Sequence, residues 1–313
     1  MRIAIIGAGI NGLYLAWKLS EKGHKIVVFE KKDKIGQEAC SGLFSERILN
    51  FFPKSRNLIK NEINYALVNF PEKTIKVSFS KPFFVMNHAR LDKLAGDLAE
   101  EAGAEIFLNY NIKKIPQNFD KIIGADGPNS FVRKSLNLKN PKYRLGILGF
   151  AVQGGRGLSS DCFVEAWAVK RGFIWKIPRG ENVEYGILAP VNTAKKEFNE
   201  FLKNKSISLT GIQAKIIPQS LIIPNNKKIT LVGDATGLTK PWSGGGVVWQ
   251  LTAADILLKT FPNFKKYFRE TKARMGAKLL FSRAAVSLVY FLGFNLPWIL
   301  PENLKIESDF LLK

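Results

Sequence analysis

Hydrophobic and polar positions along this chain follow two periods, one of helices and one of strands, and the switches between them lay out its elements. The opening run Ile3-Ala4-Ile5-Ile6 predicts a buried β-strand. It passes through Gly7-Ala8-Gly9-Ile10-Asn11-Gly12 into an apolar helix carrying Leu13, Tyr14, Ala16, Trp17 and Leu19. A second strand over 25–29 ends on Glu30. Residues 37–50 read as a loop and a short helix. Residues 63–87 read as antiparallel strands, with alternation in Ile75-Lys76-Val77-Ser78-Phe79. Leu91, Leu94, Ala95, Leu98, Ala99 and Ala102 share one face of a helix over 90–102, which Gly103 closes. Strands over 105–108 and 121–123 follow. From 144 to 224, short alternating runs broken by Gly and Pro predict an antiparallel sheet. The α/β pattern returns at 229–232, before a helix near 245–259.

Past residue 260 the pattern is helical and mixed. Lys265, Lys266, Arg269, Lys272, Arg274 and Lys278 lead into an uncharged run over 284–301 that approaches the length of a membrane span. Gly293, Asn295 and Pro297 interrupt it. It reads as a helix lying on a membrane surface with its cations toward anionic headgroups, or as a core helix covering a sheet.

Length allows two interleaved units, since 313 residues exceed an average domain. Charge changes the picture more. The chain has 47 Lys and Arg against 26 Asp and Glu, a net charge of +21, and a pI near 9.9. Such an excess attracts polyanions, anionic lipid surfaces or phosphorylated substrates, or it reflects a compositional habit of the source. The basic residues are spread along the chain and no nucleic-acid-binding signature accompanies them, so nucleic acid is not expected as a partner. The two cysteines, Cys40 and Cys162, lie far apart, and no Cys/His cluster has metal-ligand spacing. The first strand begins at residue 2, which leaves no room for a signal peptide. A cytoplasmic protein is expected, peripheral at the inner face of the membrane if the last helices touch lipid.

The first glycine turn carries chemistry. Gly7 permits a tight turn, Gly9 lets backbone approach a pyrophosphate, and Gly12 lets the helix pack closely on the strand, so the helix N–H groups face phosphate. Glu30, at the tip of the second strand, is placed to accept ribose hydroxyls. Two further glycine segments stand far away, Gly124–Ser130 and Gly233–Gly246. Asp234 can hydrogen-bond polyol hydroxyls. The turn Pro241-Trp242-Ser243-Gly244-Gly245-Gly246-Val247 opens a helix whose positive end suits negative charge.

These three pieces together resemble the flavoproteins of the para-hydroxybenzoate hydroxylase type. Gly124-Ala125-Asp126-Gly127-x-x-Ser130-x-x-Arg133 is similar to that group's Asp-Gly motif, and Leu231-Val232-Gly233-Asp234-Ala235 to its Gly-Asp motif. Arg90-Leu91-Asp92 looks like a tightened form of its Arg-x-x-Asp segment. The resemblance spans roughly residues 1–260 and implies FAD. Gly7, Gly9, Asn11, Gly12, Glu30, Lys31, Arg90, Ile112, Asp126, Gly127, Gly233, Asp234, Gly244, Gly245, Gly246 and Val247 are assigned to it, with Cys40, Ser41 and Gly42. Two segments narrow the family. Gly36-Gln37-Glu38-Ala39-Cys40-Ser41-Gly42-Leu43 resembles the cysteine loop of geranylgeranyl reductases. Phe173-Ile174-Trp175-Lys176-Ile177-Pro178, with Gly186, resembles their aromatic-x-Trp-x-Phe-Pro…Gly motif. Phe173 stands where Tyr is usual, Ile177 where Phe is, and Leu188 fills the place of a second glycine. The same segment is one residue away from the Trp-x-Trp-x-Ile-Pro signature of flavin halogenases.

The fold expected is α/β: a Rossmann-like FAD-binding domain interleaved with an antiparallel β-sheet substrate domain, plus C-terminal helices. The domains are 1–62, 88–143 and 225–260 for FAD, 63–87 and 144–224 for substrate, and 261–313 as the helical segment. The reaction expected from the resemblance is hydride transfer from flavin to isoprenoid double bonds of geranylgeranyl lipids or their diphosphate precursors. Ferredoxin or NAD(P)H would supply electrons. Cys40 is the candidate gate or proton donor, and Phe173 and Trp175 the candidate walls of an apolar tunnel. The alternatives are a flavin monooxygenase or halogenase and a non-enzymatic flavoprotein that binds membranes.

Overall fold

The structure is a computed structural model that describes residues 1–36, 40–152, 162–307 and 309. In chain order its elements are β1 (Arg2–Ile6), α1 (Ile10–Ser20), β2 (Lys25–Phe29), β3 (Leu43–Ser45), α2 (Ile48–Phe51), β4 (Ile59–Asn69) and β5 (Thr74–Met86). Then come α3 (His88–Glu101), β6 (Glu105–Phe107), β7 (Lys121–Gly124), α4 (Phe131–Ser135), β8 (Lys142–Val152), β9 (Phe163–Val169), β10 (Gly172–Arg179) and β11 (Asn182–Ala189). The chain continues with α5 (Ala194–Asn204), β12 (Thr210–Gln219), β13 (Ile229–Leu231), α6 (Val247–Thr260), α7 (Phe264–Asn295) and β14 (Asn303–Ile306).

Two compact units share these elements. One comprises Met1–Glu38, His88–Lys142 and Ile217–Phe281, and the other Ala39–Asn87, Tyr143–Ile216 and Ser282–Lys313. The first holds a five-stranded parallel sheet in the order β13-β7-β1-β2-β6. Strands β1, β2, β7 and β13 are largely buried apolar runs, as parallel strands between helices are, whereas the edge strand β6 exposes Glu105 and Phe107. Helix α1 is buried almost throughout and packs against α3 and α6. Ala4, Ile6, Val27, Ile122, Val132 and Leu231 meet in one cluster of this core. The expected Rossmann-like α/β arrangement is therefore present.

The second unit is built on a larger sheet, ordered β12-β8-β11-β10-β9-β4-β5-β14, with β3 beside β5. Most of its pairings are antiparallel, as the alternation predicts, but β4 with β9 and β5 with β14 are parallel. Along β10 the side chains point alternately to opposite faces. Ile174 faces a cluster with Ile147, Ile187, Ala189, Ala194 and Phe198, the last two from α5. Ile177 faces another cluster with Ile63, Ala66, Phe83, Val85 and Val164, against which Trp175 packs.

Four local expectations change. Helix α5 sits in a stretch read only as strands: Ala194, Phe198, Phe201 and Leu202 recur at helical spacing and cover one face of the sheet. Part of the expected loop over 37–50 is strand, since Leu43, Phe44 and Ser45 pair with Val85, Phe84 and Phe83. A further strand, β14, follows the last helices and pairs with Lys76–Phe79. Gly293 does not interrupt α7. A Cβ there would lie 2.2 Å from the Phe70 ring, so the glycine lets that ring dock on the helix.

Candidate functional site

The C-terminal ends of β1, β7 and β13 bring the three glycine segments of the first unit together. Gly7 N–H donates to Phe29 O at 2.8 Å, Ala125 N–H to Ile6 O at 2.7 Å, and Val232 N–H to Gly124 O at 2.9 Å. Gly7 turns at φ +107°, and a Cβ on it would lie 2.4 Å from Ala125 O. A Cβ on Gly12 would lie 2.2 Å from Gly7 O, so the start of α1 can approach the turn only as glycine. Gly9 differs: nothing lies within 4 Å of its Cβ position, and the same holds at Gly127. The first pair of glycines is required by the fold, whereas Gly9 and Gly127 leave open space.

Polar atoms around this space are arranged for a ligand rich in hydroxyls and phosphate. Helix α1 starts at Gly9 with no side-chain cap, and α6 starts at Gly246 in the same way. The first backbone N–H groups of a helix have no partner within it, so these ends suit an anion or a carbonyl oxygen. Glu30 Oε2 accepts Ala8 N–H at 2.7 Å and Oε1 accepts Lys32 N–H at 3.0 Å, which ties the acid to the glycine turn. Asp126 Oδ2 caps α4 through Val132 N–H at 3.0 Å, while its Oδ1 is buried without a hydrogen-bond partner. Asn11 Oδ1 is a second buried acceptor in that condition. Two buried unpaired oxygens cost free energy unless a donor arrives, and ligand hydroxyls are such donors. These groups fit FAD.

Two residues that the sequence reading did not assign hold the pieces in place. Gln250 Nε2 donates to Asp234 Oδ1 at 2.7 Å and Leu238 O at 3.0 Å, and its Oε1 accepts Asn11 Nδ2–H at 2.9 Å. A Cβ at Gly246 would meet that amide at 2.4 Å. The only signal in the sequence is a glutamine among apolar residues one turn after Gly246. Arg133 is fully buried and donates to Ala235 O at 2.9 Å and Pro128 O at 2.7 Å, linking the Asp-Gly and Gly-Asp segments. It ends the quoted Asp-Gly motif, but its role shows only in three dimensions.

The other assigned positions are more scattered. Lys31 and Arg90 are exposed, Arg90 on the first turn of α3, where His88 Nε2 lies 3.2 Å from the buried Asp92. Ile112 packs on the apolar cluster of Ala4, Val27 and Ile122. Gly233 is buried with its Cβ position 3.3 Å from Asn11. Gly244 and Gly245 form the turn before α6, with Gly244 N–H donating to Lys240 O and Gly245 O accepting Lys240 N–H. Val247 is the first residue of α6.

In the second unit, Cys40, Ser41 and Gly42 lead into β3, whereas 37–39 of the same motif lie outside the described residues. Cys40 is half-buried, and Gly42 N–H points at its Sγ from 3.4 Å. Gly42 turns at φ +58° with Met86 O only 2.1 Å from its Cβ position. A buried polar cluster lies beside this loop. Glu184, fully buried on β11, accepts Trp175 Nε1–H at 2.8 Å through Oε1, and Arg179 Nε–H at 3.0 Å and Nη2–H at 2.5 Å through Oε2. Arg179 also donates to Ser41 O and, at 3.3 Å, to Met86 O. Burial pushes the Glu184 carboxyl up, and the charge of Arg179 and the donors around it push back. One arginine thus connects the cysteine loop to Trp175, two segments more than a hundred residues apart. Neither charged residue was assigned beforehand. Their signal is an acid within an otherwise apolar strand.

Trp175 lies flat over Gly186, its direct partner across β10 and β11. A Cβ there would lie 2.2 Å from the ring, which explains why that glycine accompanies the tryptophan. Phe173 is half-buried, its ring centroid 5.8 Å from that of Trp175. Among the described residues no group of three or more His, Cys, Asp or Glu is placed to hold a metal ion.

Known proteins share parts of this sequence and fold. The NAD(P)-binding Rossmann-like domain family matches residues 5–48. The digeranylgeranylglycerophospholipid reductase of Methanococcus vannielii is 24% identical over 309 residues, covering 86% of this chain and 79% of that protein. In solved structures, a geranylgeranyl bacteriochlorophyll reductase-like protein of Thermoplasma acidophilum superposes with a TM-score of 0.81 at 21% identity, covering 93% of this chain and 88% of that one. A flavin-dependent brominase superposes with a TM-score of 0.75 at 14% identity, covering 94% and 89%. The sequence is thus similar to a digeranylgeranylglycerophospholipid reductase, and the fold is shared with a geranylgeranyl bacteriochlorophyll reductase-like protein and with a flavin-dependent brominase.

Proposed function

We propose that this chain is a FAD-dependent reductase of isoprenoid double bonds, acting on geranylgeranyl chains of a glycerophospholipid or their diphosphate precursors. The observation that carries the reading is the Arg179–Glu184 pair, which joins the Cys40–Gly42 loop to Trp175. Those are the two segments by which the sequence resembles geranylgeranyl reductases rather than flavoproteins in general.

In the first unit, Gly9 leaves room for a pyrophosphate at the start of α1, and Glu30 and Asp234 are the acceptors for ribose and ribityl hydroxyls. Asn11 and Asp126 would gain partners for their buried oxygens. The start of α6 at Gly246 and Val247 offers N–H groups to negative charge. Reduced FAD, when bound, supplies the hydride.

An isolated trisubstituted alkene is not polarised, so the carbon that does not take the hydride must take a proton. Cys40 is the proposed donor. Its thiol is held by Gly42 N–H, and the loop by Arg179. Half-buried Trp175 packs on the apolar core of Ile177, Val85 and Phe83, and its surroundings suit a hydrocarbon chain better than a polar substrate. Holding the chain there would exclude water and fix its orientation. An electron donor, ferredoxin or NAD(P)H, completes the cycle.

The test is anaerobic. The FAD-loaded protein is reduced with dithionite and mixed with geranylgeranylated phospholipid. Flavin reoxidation with the lipid mass rising in steps of two hydrogens supports the reductase. Reduced flavin that ignores the lipid but reacts with admitted oxygen assigns a monooxygenase or halogenase instead, the reading favoured by the superposition on the brominase. Cys40→Ala is expected to keep FAD and lose turnover. Full turnover removes Cys40 from the mechanism.

A further inference from the structure

Helix α7 presents two different outer faces along its length. Its inner side is a stripe of buried positions at helical steps, Phe264, Tyr267, Thr271, Met275, Leu279 and Ser282, which half-buried Val286 and Tyr290 carry on to buried Gly293. Outward, the first half exposes Lys265, Lys266, Arg269, Lys272 and Arg274, with Glu270 the only acid among them. The second half exposes Phe281 at 72%, Leu288 at 57%, Phe291 at 56% and Phe294 at 37%. Trp298 at 71% and Ile299 at 54% extend this face on the turn that follows. No charged residue interrupts 284–301. A core helix would bury such residues, yet only 17% of the most apolar eighteen-residue stretch of α7 is buried.

We propose that the exposed face of α7 and the Trp298–Ile299 turn seat in one leaflet of a lipid bilayer bearing anionic headgroups. Charge complementarity chooses the occupant. Aromatic and aliphatic side chains suit the acyl boundary, and the basic half of the same helix, on a chain of net charge +21, suits anionic phosphate. The helix lies in the membrane plane and does not cross it. Phe70 docks on Gly293, Tyr290 Oη donates to Gly172 O at 2.7 Å, and Leu300 packs with Phe70 and Ile75. Beyond the apolar stretch, Asn303–Ile306 pair with β5. The apolar stretch itself and the chain after it are therefore tied to one sheet, and these contacts along its length would be lost if the helix crossed a membrane. The inference rests on this helix alone and stands apart from the reaction.

The test is flotation of the full-length protein with vesicles of phosphatidylcholine alone or with phosphatidylglycerol added. The wild type is expected to float with the anionic vesicles, and added salt to weaken binding. Phe291→Glu with Trp298→Glu, both at exposed positions, is expected to reduce binding at least tenfold. Arg269→Glu with Lys272→Glu should lose the preference for phosphatidylglycerol. Fluorescence that Trp298→Phe removes should shift to the blue and be quenched by brominated lipid. Failure to float with either vesicle at low salt overturns the proposal. So does binding that the apolar double variant leaves unchanged, which would be electrostatic adsorption only. Dimers in solution that the apolar variant dissociates would assign the face to a second copy of the chain.

Discussion

Replacing Arg179 by Met tests the buried cluster of the second unit most directly. Glu184 has no exposure, and Arg179 fills one of its carboxylate oxygens with two donors while Trp175 fills the other. The arginine side chain is itself only 12% exposed, so solvent cannot replace it freely. Breaking a buried pair from one side costs about 3–5 kcal/mol, because the remaining charge has lost its compensation. For a unit of this size that lowers its melting temperature by on the order of 10 °C. The pH dependence is specific. Burial already raises the Glu184 carboxyl, and removing the opposing guanidinium raises it further. A group whose folded pKa lies above its unfolded value stabilises the fold below the unfolded pKa, and that stability is lost as pH rises through the folded value. The deficit of Arg179→Met is therefore largest near neutrality and shrinks toward pH 4–5. Adding Glu184→Gln should recover most of the stability and remove its pH dependence. Calorimetry across pH 5–8 reads both effects. In a Cys162→Ser background, Cys40 should also react faster with a thiol reagent once Ser41 O loses its donor. A deficit below about 1 kcal/mol, or one equal at pH 5 and pH 8, would refute the argument.

Three other perturbations have defined outcomes. Gln250→Leu removes the acceptor of the buried Asn11 Nδ2 and one donor to Asp234, at about 1–3 kcal/mol for a buried polar group that loses its partner. FAD affinity, read by fluorescence titration, should fall about tenfold or more, whereas an unchanged value would make Gln250 a bystander. Gly186→Ala forces the Trp175 ring aside at about 1–3 kcal/mol, visible as a loss of near-ultraviolet dichroism. His24, its ring 5.1 Å from Phe261, has its pKa lowered, first by burial and then by the N-terminal amine and Lys22. A lowered histidine gives stability that is complete above its unfolded pKa and lost as pH falls through the folded one. His24→Phe should therefore flatten the loss of stability on acidification below about pH 6.5, and an unaltered acid limb would count against it.

What could be read from sequence was what backbone geometry dictates. Gly7, Gly12 and Gly186 sit where a Cβ would strike backbone or ring, so their spacing carries the fold directly. The strands of the parallel sheet are continuous apolar runs and were legible for that reason. Helix α5 was not, because its apolar positions lie within a region dominated by alternation, and tertiary cover on the sheet decides its structure. The short strands β3 and β14 exist through pairing with β5, and nothing local requires them. At the cofactor site the glycines and acids stand out in sequence. Gln250, Arg133 and Arg179 act across long sequence separations, and Glu184 binds Trp175 and Arg179 across the β10–β11 pair, so only the folded chain brings out their partners.

The pairing of β14 with β5 also sets a timetable for biosynthesis. At roughly 5–20 residues per second, the ribosome delivers Asn303–Ile306 some 10–45 s after Thr74–Met86. Throughout that interval β5 carries an open edge, the kind of template on which nascent chains aggregate. The parallel sheet waits too, since Lys121–Gly124 gain their outer neighbour only when Ile229–Leu231 emerge. Vectorial synthesis therefore leaves both sheets unfinished until late, and a chaperone that shields strand edges would raise the yield of this protein more than one that only slows collapse.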